Sequence, residues 1–218
     1  MSINTVIFDF DGTLADTNGM VISSWQYTYD MLGVERPSEE VIFGTFGEPL
    51  PISMEKAFPD VPVDKSVGLY RENMNRIFEE KIEAFPGTVE LIKALKARGC
   101  KVGVATSRMK ETTMIGLRKF GVVEDLDAIV TMEDTKKHKP DPEPVLISLK
   151  KLDAKAEEAL MIGDSMFDIK CAHNAGVKAV LVSWAQAVNE EEKNGPEGPE
   201  FYIEKAEDLL TLLEKENA

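Results

Sequence analysis

Thr5-Val6-Ile7-Phe8-Asp9-Phe10-Asp11-Gly12-Thr13-Leu14 is the stretch on which the reading of the whole chain turns. Its first half is continuously apolar, the pattern of a strand buried on both faces of a parallel sheet. Its second half delivers two carboxylates, Asp9 and Asp11, followed by a glycine. Side chains two apart can share one site only if the backbone leaves its extended form, and Gly12 permits that turn. Taken alone, the segment reads as an Asp-Gly turn or as a carboxylate nucleophile beside a metal-binding position, able to form an aspartyl-phosphate.

Four more runs read as strands: Lys101-Val102-Gly103-Val104-Ala105, Asp127-Ala128-Ile129-Val130, Ala159-Leu160-Met161-Ile162 and Lys178-Ala179-Val180-Leu181-Val182. Amphipathic helices lie between and after them. Thr88 is placed to cap one that carries Val89, Ile92 and Leu95 and closes at Arg98-Gly99. Others run from Lys110 to Phe120 and from Pro142 and Pro144, tolerated in a first turn, to about Leu152. Two more cover Asp168 to Ala175 and the region of Leu209, Leu210 and Leu213. Such alternation predicts an α/β fold: a Rossmann-like parallel sheet with helices on both faces, and a ligand crevice past the strand C-termini. Between about Asp16 and Ala84 the alternation stops. Helices are expected over Val21–Leu32, Glu39–Val41, Ile52–Phe58 and Val67–Ile82, with Gly33, Pro37, Gly44, Gly47, Pro49, Pro51, Pro59 and Pro62 separating them. The organisation expected is an α/β core of residues 1–15 and 85–218 carrying an inserted α-helical cap, residues 16–84.

The chain has 218 residues, with 25 Lys+Arg against 39 Asp+Glu and a formal net charge of -14. No basic footprint for nucleic acid or an acidic lipid surface follows from that balance, so an anionic substrate needs a locally positive pocket. Two cysteines, Cys100 and Cys171, provide neither a disulfide framework nor a paired metal motif. No run approaches the roughly 18 apolar residues of a membrane span, and the N-terminus does not read as a signal peptide, which leads to an expectation of a cytoplasmic protein with no membrane partner. Nothing in the sequence sets the oligomeric state.

Three further clusters fall just past expected strands or in the loop beyond one: Thr106-Ser107-Arg108; Lys139 within Lys136-Lys137-His138-Lys139; and Gly163-Asp164-Ser165-Met166-Phe167-Asp168. Each alone has a plain reading, as a helix cap, a solvated loop or helix N-terminal charges. Together with Asp9 and Asp11 they offer carboxylates for a hard divalent cation, a hydroxyl donor, and an ammonium for a phosphoryl oxygen, all on one sheet edge. At this point the sequence resembles the haloacid dehalogenase superfamily of phosphohydrolases. Asp9-Phe10-Asp11-Gly12-Thr13 matches the first motif, Thr106 the second, Lys139 the third, and Gly163-Asp164 with Asp168 the fourth. The cap resembles, in position and size, the helical cap of the phosphoglycolate phosphatase branch. The stretch His138 to Val145 is similar to the phosphoglycolate phosphatases and, more closely, to that branch's inorganic pyrophosphatases.

The resemblance implies a Mg²⁺-dependent phosphatase for a small phosphorylated metabolite or pyrophosphate. Asp9 would attack phosphorus, and Asp11 would serve as acid and then base. Mg²⁺ would be held by Asp9, the backbone carbonyl of Asp11, and Asp164. Thr106, Ser107 and Lys139 would bind phosphoryl oxygens, and Asp168 would orient the ligands or Lys139. Asp11 argues against halide chemistry. A sugar phosphomutase of the β-phosphoglucomutase type shares the same core and cap and is the alternative. A phospho-receiver domain is disfavoured by motif order, and dinucleotide and nucleoside-triphosphate loops are absent. Among other residues, His138 is expected in solvent, and His173, Trp25 and Trp184 in structural roles. Met20, Met31, Met54 and Met74 are expected as core. Arg108 is a lesser candidate for the phosphate, and Arg36 with Gly44–Pro49 for the leaving group.

Overall fold

A computed structural model describes residues 2–46, 48–184 and 190–218. Its strands are β1 (Thr5–Phe8), β2 (Ala15–Asp16), β3 (Glu83–Ala84), β4 (Lys101–Ala105), β5 (Ala128–Val130), β6 (Ala159–Gly163), β7 (Lys178–Val182) and β8 (Phe201–Ile203). Its α-helices are α1 (Asn18–Leu32), α2 (Glu39–Phe43), α3 (Leu50–Ala57), α4 (Val63–Lys81), α5 (Thr88–Ala97), α6 (Lys110–Phe120), α7 (Glu143–Leu152), α8 (Met166–Asn174), α9 (Glu190–Asn194) and α10 (Asp208–Glu216). Six strands form one parallel sheet in the order β5-β4-β1-β6-β7-β8, so the fold is the expected α/β sheet with helices on both faces.

Alternation along the strands decides which helix packs where. Val6 and Phe8 of β1 point to the face covered by Leu91, Ile92 and Leu95 of α5 and Leu209 and Leu213 of α10. Ile7 points to the other, under Val145, Leu149 and Leu152 of α7 and Ile169 and Ala172 of α8. Each fully buried side chain of this size stabilises the fold by about 1.5–3 kcal/mol. Register then sets the functional edge. Phe8 of the central strand lies level with Val104 and with Ile162, so Asp9, Thr106 and Asp164 leave the sheet side by side. The Asp9 N–H still donates to the Ile162 carbonyl (2.8 Å), and the Thr106 N–H to that of Val130 (3.0 Å).

Between β2 and β3 the chain forms α1 to α4, which share an apolar centre of their own. Trp25 meets Tyr70 edge-on (ring centroids 6.1 Å apart), and Tyr29 meets Phe58 (4.6 Å). Asn73 donates to the buried Ser24 hydroxyl (3.2 Å). At the end of α4, Lys119 from the core side donates to the carbonyls of Glu79 (2.9 Å) and Glu80 (3.0 Å), closing groups that a helix C-terminus leaves open.

Several sequence expectations need correction. The sixth strand, β8, escaped notice: it has three residues at the sheet edge and Tyr202 faces solvent, so its alternation is too short to register. β2 and β3 also escaped, being two residues each, paired antiparallel as Ala15↔Ala84 and Asp16↔Glu83 at the two ends of the helical segment. Thr88 is not the cap of α5. Gly87 (φ 80°) is, and the Thr88 hydroxyl donates to the carbonyls of Phe85 (2.8 Å) and Leu14 (3.3 Å). α3 and α4 begin earlier than expected, because Pro51 sits in a first turn and Pro62 at the cap, where missing N–H groups cost nothing. α1 begins earlier as well, at Asn18, and α8 begins at Met166. Met31 is 56% exposed and fills no core. No helix among the described residues is long and apolar enough to cross a membrane.

Candidate active site

The loop after β1 winds tightly: Leu14 and Ala15 donate to the Phe10 carbonyl (3.0 and 2.8 Å), and Gly12 donates to that of Ala15 (3.0 Å). Gly12 has φ +72°, and a Cβ built there would lie 2.0 Å from Asp164 Oδ2. Only glycine lets β1's loop pass over the carboxylate at the end of β6.

Lys139 is the hub of the cluster. Its ammonium, 4% exposed, donates to Asp9 Oδ1 (2.7 Å) and to Asp168 Oδ1 (2.6 Å). Asp168 Oδ2 accepts from the Ser165 hydroxyl (2.6 Å) and backbone N–H (3.2 Å), a reciprocal cap on α8, so both oxygens of Asp168 are committed. Asp164 is buried and makes no hydrogen bond among the described residues. Oxygens of Asp9, Asp164 and Asp168 all lie within 4.8 Å of one another.

Burial, then the nearby charges of Asp168 and Asp11, push the Asp9 carboxyl up to about 7 against the opposing pull of Lys139. Burial, followed by Asp168 and Asp9, raises Asp164 well above the ordinary carboxylate range. Lys139 is held protonated: burial disfavours its charge, but Asp168 and Asp9 outweigh burial. Two destabilised carboxylates, one of them without a hydrogen-bond partner, suit a hard divalent cation that takes oxygen ligands. Asp9 and Asp164 fit the ligand role, whereas Asp168 is already occupied.

Asp11 has a charged partner of its own. Its carboxylate accepts from Arg108 in a fork, with Nε at 3.0 and 2.9 Å from its two oxygens and Nη2 at 2.7 Å. The guanidinium, 11% exposed, lies 4.6 Å from the centre of the Phe78 ring on α4. Burial disfavours the Arg108 charge, but Asp11 more than offsets it and the guanidinium stays charged. The pair therefore joins the sheet edge to the helical segment. Sequence reasoning missed it; the one signal was a basic residue two positions after Thr106. The Thr106 hydroxyl accepts from the Arg108 N–H (3.1 Å), leaving its own proton free.

A cavity of about 400 Å³ opens over these groups, lined by Asp9, Asp11, Thr106, Ser107, Arg108, Lys139, Asp164 and Asp168 from the sheet edge. The residues expected in catalytic, phosphate-binding and metal-binding roles thus meet at one cavity. Across from them the helical segment contributes Trp25, Phe46, Leu50 and Met74 among others, so Trp25 lines the cavity as well as packing. His138 lines it too and is half-buried rather than in solvent. Of the Gly44–Pro49 stretch, Thr45, Phe46, Glu48 and Pro49 reach the lining, while Gly47 lies outside the described residues. Arg36 is not in the lining; it pairs with Asp30 (Nε–Oδ1 2.7 Å). His173 pairs with Glu200 (3.1 Å), and Trp184 packs on Phe85 (5.7 Å).

Comparisons with known proteins agree with this architecture. The family described as haloacid dehalogenase-like hydrolase matches residues 6–182. The chain is 34% identical to pyrophosphatase PpaX of Halalkalibacterium halodurans over 213 residues, covering 98% of both chains. It is 36% identical to pyrophosphatase PpaX of Bacillus cereus over 220 residues, 100% of this chain and 99% of the other. Among solved structures, a hydrolase from Pseudomonas syringae superposes with a TM-score of 0.84 at 25% identity, covering 99% of this chain and 100% of its own.

Proposed function

The chain belongs to the haloacid dehalogenase-like hydrolase family, and on that premise we propose that it is a Mg²⁺-dependent phosphatase acting on pyrophosphate or a small phosphorylated metabolite. The observation that carries this reading is the buried ammonium of Lys139 bridging Asp9 (2.7 Å) and Asp168 (2.6 Å) beside the unpartnered Asp164. Residues 1–15 and 85–218 act as the catalytic core, and residues 16–84 as a cap that covers it.

Asp9 Oδ attacks phosphorus, forming the aspartyl-phosphate as the bond to the leaving oxygen breaks. Asp11, having taken a proton from solvent once its pair with Arg108 opens, gives that proton to the leaving oxygen. A water then attacks phosphorus and loses a proton to Asp11, the Asp9–phosphorus linkage breaks, and inorganic phosphate leaves. For Asp11 to act, its pair with Arg108 opens as the leaving group enters. Lys139 offsets the repulsion between carboxylate and phosphoryl oxygens, and Asp168 holds that ammonium in place. Thr106 donates its free hydroxyl proton to a phosphoryl oxygen, with Ser107 beside it. Asp9, Asp164 and the Asp11 backbone carbonyl would hold Mg²⁺, which would supply positive charge for the phosphoryl group. These fixed charges let a chain of net charge -14 accept an anion.

The test is phosphate release from pyrophosphate, 2-phosphoglycolate, sugar phosphates and nucleoside monophosphates, with Mg²⁺ and with chelator. Release from one compound far above the others, abolished by chelator, is expected. Interconversion of glucose 1-phosphate and glucose 6-phosphate without release would replace the phosphatase reading with a phosphomutase.

A further inference from the structure

The charges around the cavity divide unevenly between its two sides. On the sheet edge, four carboxylates (Asp9, Asp11, Asp164, Asp168) face two cations, and both cations are engaged, Lys139 with Asp9 and Asp168 and Arg108 with Asp11. One divalent cation would balance the remaining two negative charges. In the structure, each cation of the sheet edge is thus held by the edge's own carboxylates, and Arg108 is released only as its pair with Asp11 opens.

On the helical side, the charged residues in the lining are Glu48 and Arg71. Glu48 is already answered: it accepts from the Ser53 hydroxyl (2.6 Å) and pairs with Lys56. Arg71 makes no ion pair or hydrogen bond among the described residues, in a chain with 39 acidic residues available to pair with it. Its position is set by α4. Arg71, Met74 and Asn75 stand three and four apart, on one face of the helix, and all three line the cavity. Their neighbour Tyr70 is buried beside the Arg108–Asp11 pair. The free guanidinium is thus carried on the side from which a leaving group would project, and its planar fork suits a carboxylate or phosphate.

We propose, resting on the phosphatase reading, that Arg71 is a specificity-determining residue that binds an anionic group on the leaving part of the substrate. Substrates whose leaving group carries its own charge, such as pyrophosphate or 2-phosphoglycolate, are then preferred over phosphomonoesters whose leaving group is neutral.

The experiment compares kcat/KM for pyrophosphate, 2-phosphoglycolate and phenyl phosphate in the wild type, Arg71→Ala and Arg71→Lys. An exposed side chain without a partner is not needed for folding, and equal thermal midpoints check that the variants are intact. In Arg71→Ala, kcat/KM for at least one anionic-leaving substrate falls relative to phenyl phosphate by about 10- to 100-fold, the scale of one charge-assisted hydrogen bond. Arg71→Lys recovers part of that ratio. The substrate that suffers more shows whether phosphate or carboxylate is the group held. A ratio within about twofold of wild type for both substrates overturns the assignment while leaving the phosphatase reading intact. A wild type that hydrolyses phenyl phosphate and neither of the others does the same. A wild type that hydrolyses none of the three but releases phosphate from a sugar phosphate or nucleoside monophosphate overturns this inference and keeps the phosphatase reading, whereas no release from any of them removes both.

Discussion

The two ends of one sheet treat carboxylates in opposite ways. At the N-terminal edge, Asp127 accepts from the Val102 N–H (2.8 Å) and pairs with Lys96 (2.7 Å), while Glu200 accepts from the Ala179 N–H (2.7 Å) and pairs with His173 (3.1 Å). Burial tends to raise both, yet those hydrogen bonds and charges hold both below the ordinary range. At the C-terminal edge, burial and crowding push Asp9 and Asp164 upward. One edge uses acids to close backbone donors and lower the energy of the fold. The other concentrates acids whose charge the protein alone does not satisfy, which is how reactive sites differ from structural ones.

The strongest test of that contrast is Asp9→Asn. The variant is expected to lose about 10⁴-fold or more of its phosphatase activity, because no other group can take the nucleophile's place. Its thermal midpoint is expected not to fall, since the amide oxygen still accepts from Lys139 and one crowded charge is gone. Lys139→Met comes next. It leaves Asp9 and Asp168 without their shared ammonium, and is expected to cost about 10²- to 10³-fold in turnover and about 3–5 kcal/mol of stability, measured by denaturant unfolding. Gly12→Ala follows. A methyl group 2.0 Å from Asp164 at φ +72° must displace one of the two loops, costing about 1–3 kcal/mol and lowering activity together with Mg²⁺-induced thermal stabilisation.

The smallest effect belongs to the other edge. Asp127→Asn should leave turnover untouched and cost about 1 kcal/mol or less at neutral pH, as Asp127 is partly exposed. The sign with pH is fixed by the lowered value. The carboxylate's contribution is complete above the ordinary range and disappears as pH falls through that range to the folded-state value. Unfolding curves of wild type and Asp127→Asn should therefore converge in acid. A gap that widens in acid would reverse the proposed role of that edge.

The same contrast explains what could be read from the sequence. Strands buried on both faces appear as unbroken apolar runs, so β1, β4, β6 and β7 were legible, and the residues following their C-termini identified Asp9, Thr106 and Asp164. Lys139 was found by its place in a motif, although the hydrogen bonds that seat it, to Asp9 and Asp168, span 130 and 29 residues. β2, β3 and β8 are too short for any period to show. The Arg108–Asp11 pair joins residues 97 apart, and no local pattern announces it. On the helical side Pro49, Pro51 and Pro62, read as breaks, stand at helix starts, and the lining of the cavity depends on which faces α1, α3 and α4 turn inward. Pairing along a strand is local and periodic, whereas a wall built from four helices depends on their mutual packing.

The central claim is that Asp9 becomes phosphorylated. The most direct measurement is acid-quench mass spectrometry of the protein mixed with its best substrate and Mg²⁺, with peptide mapping of any adduct. The account predicts one added phosphoryl group on the peptide containing Asp9, absent in Asp9→Asn and absent with chelator. Rapid phosphate release with no adduct in the wild type, or an adduct that persists in Asp9→Asn, would contradict it.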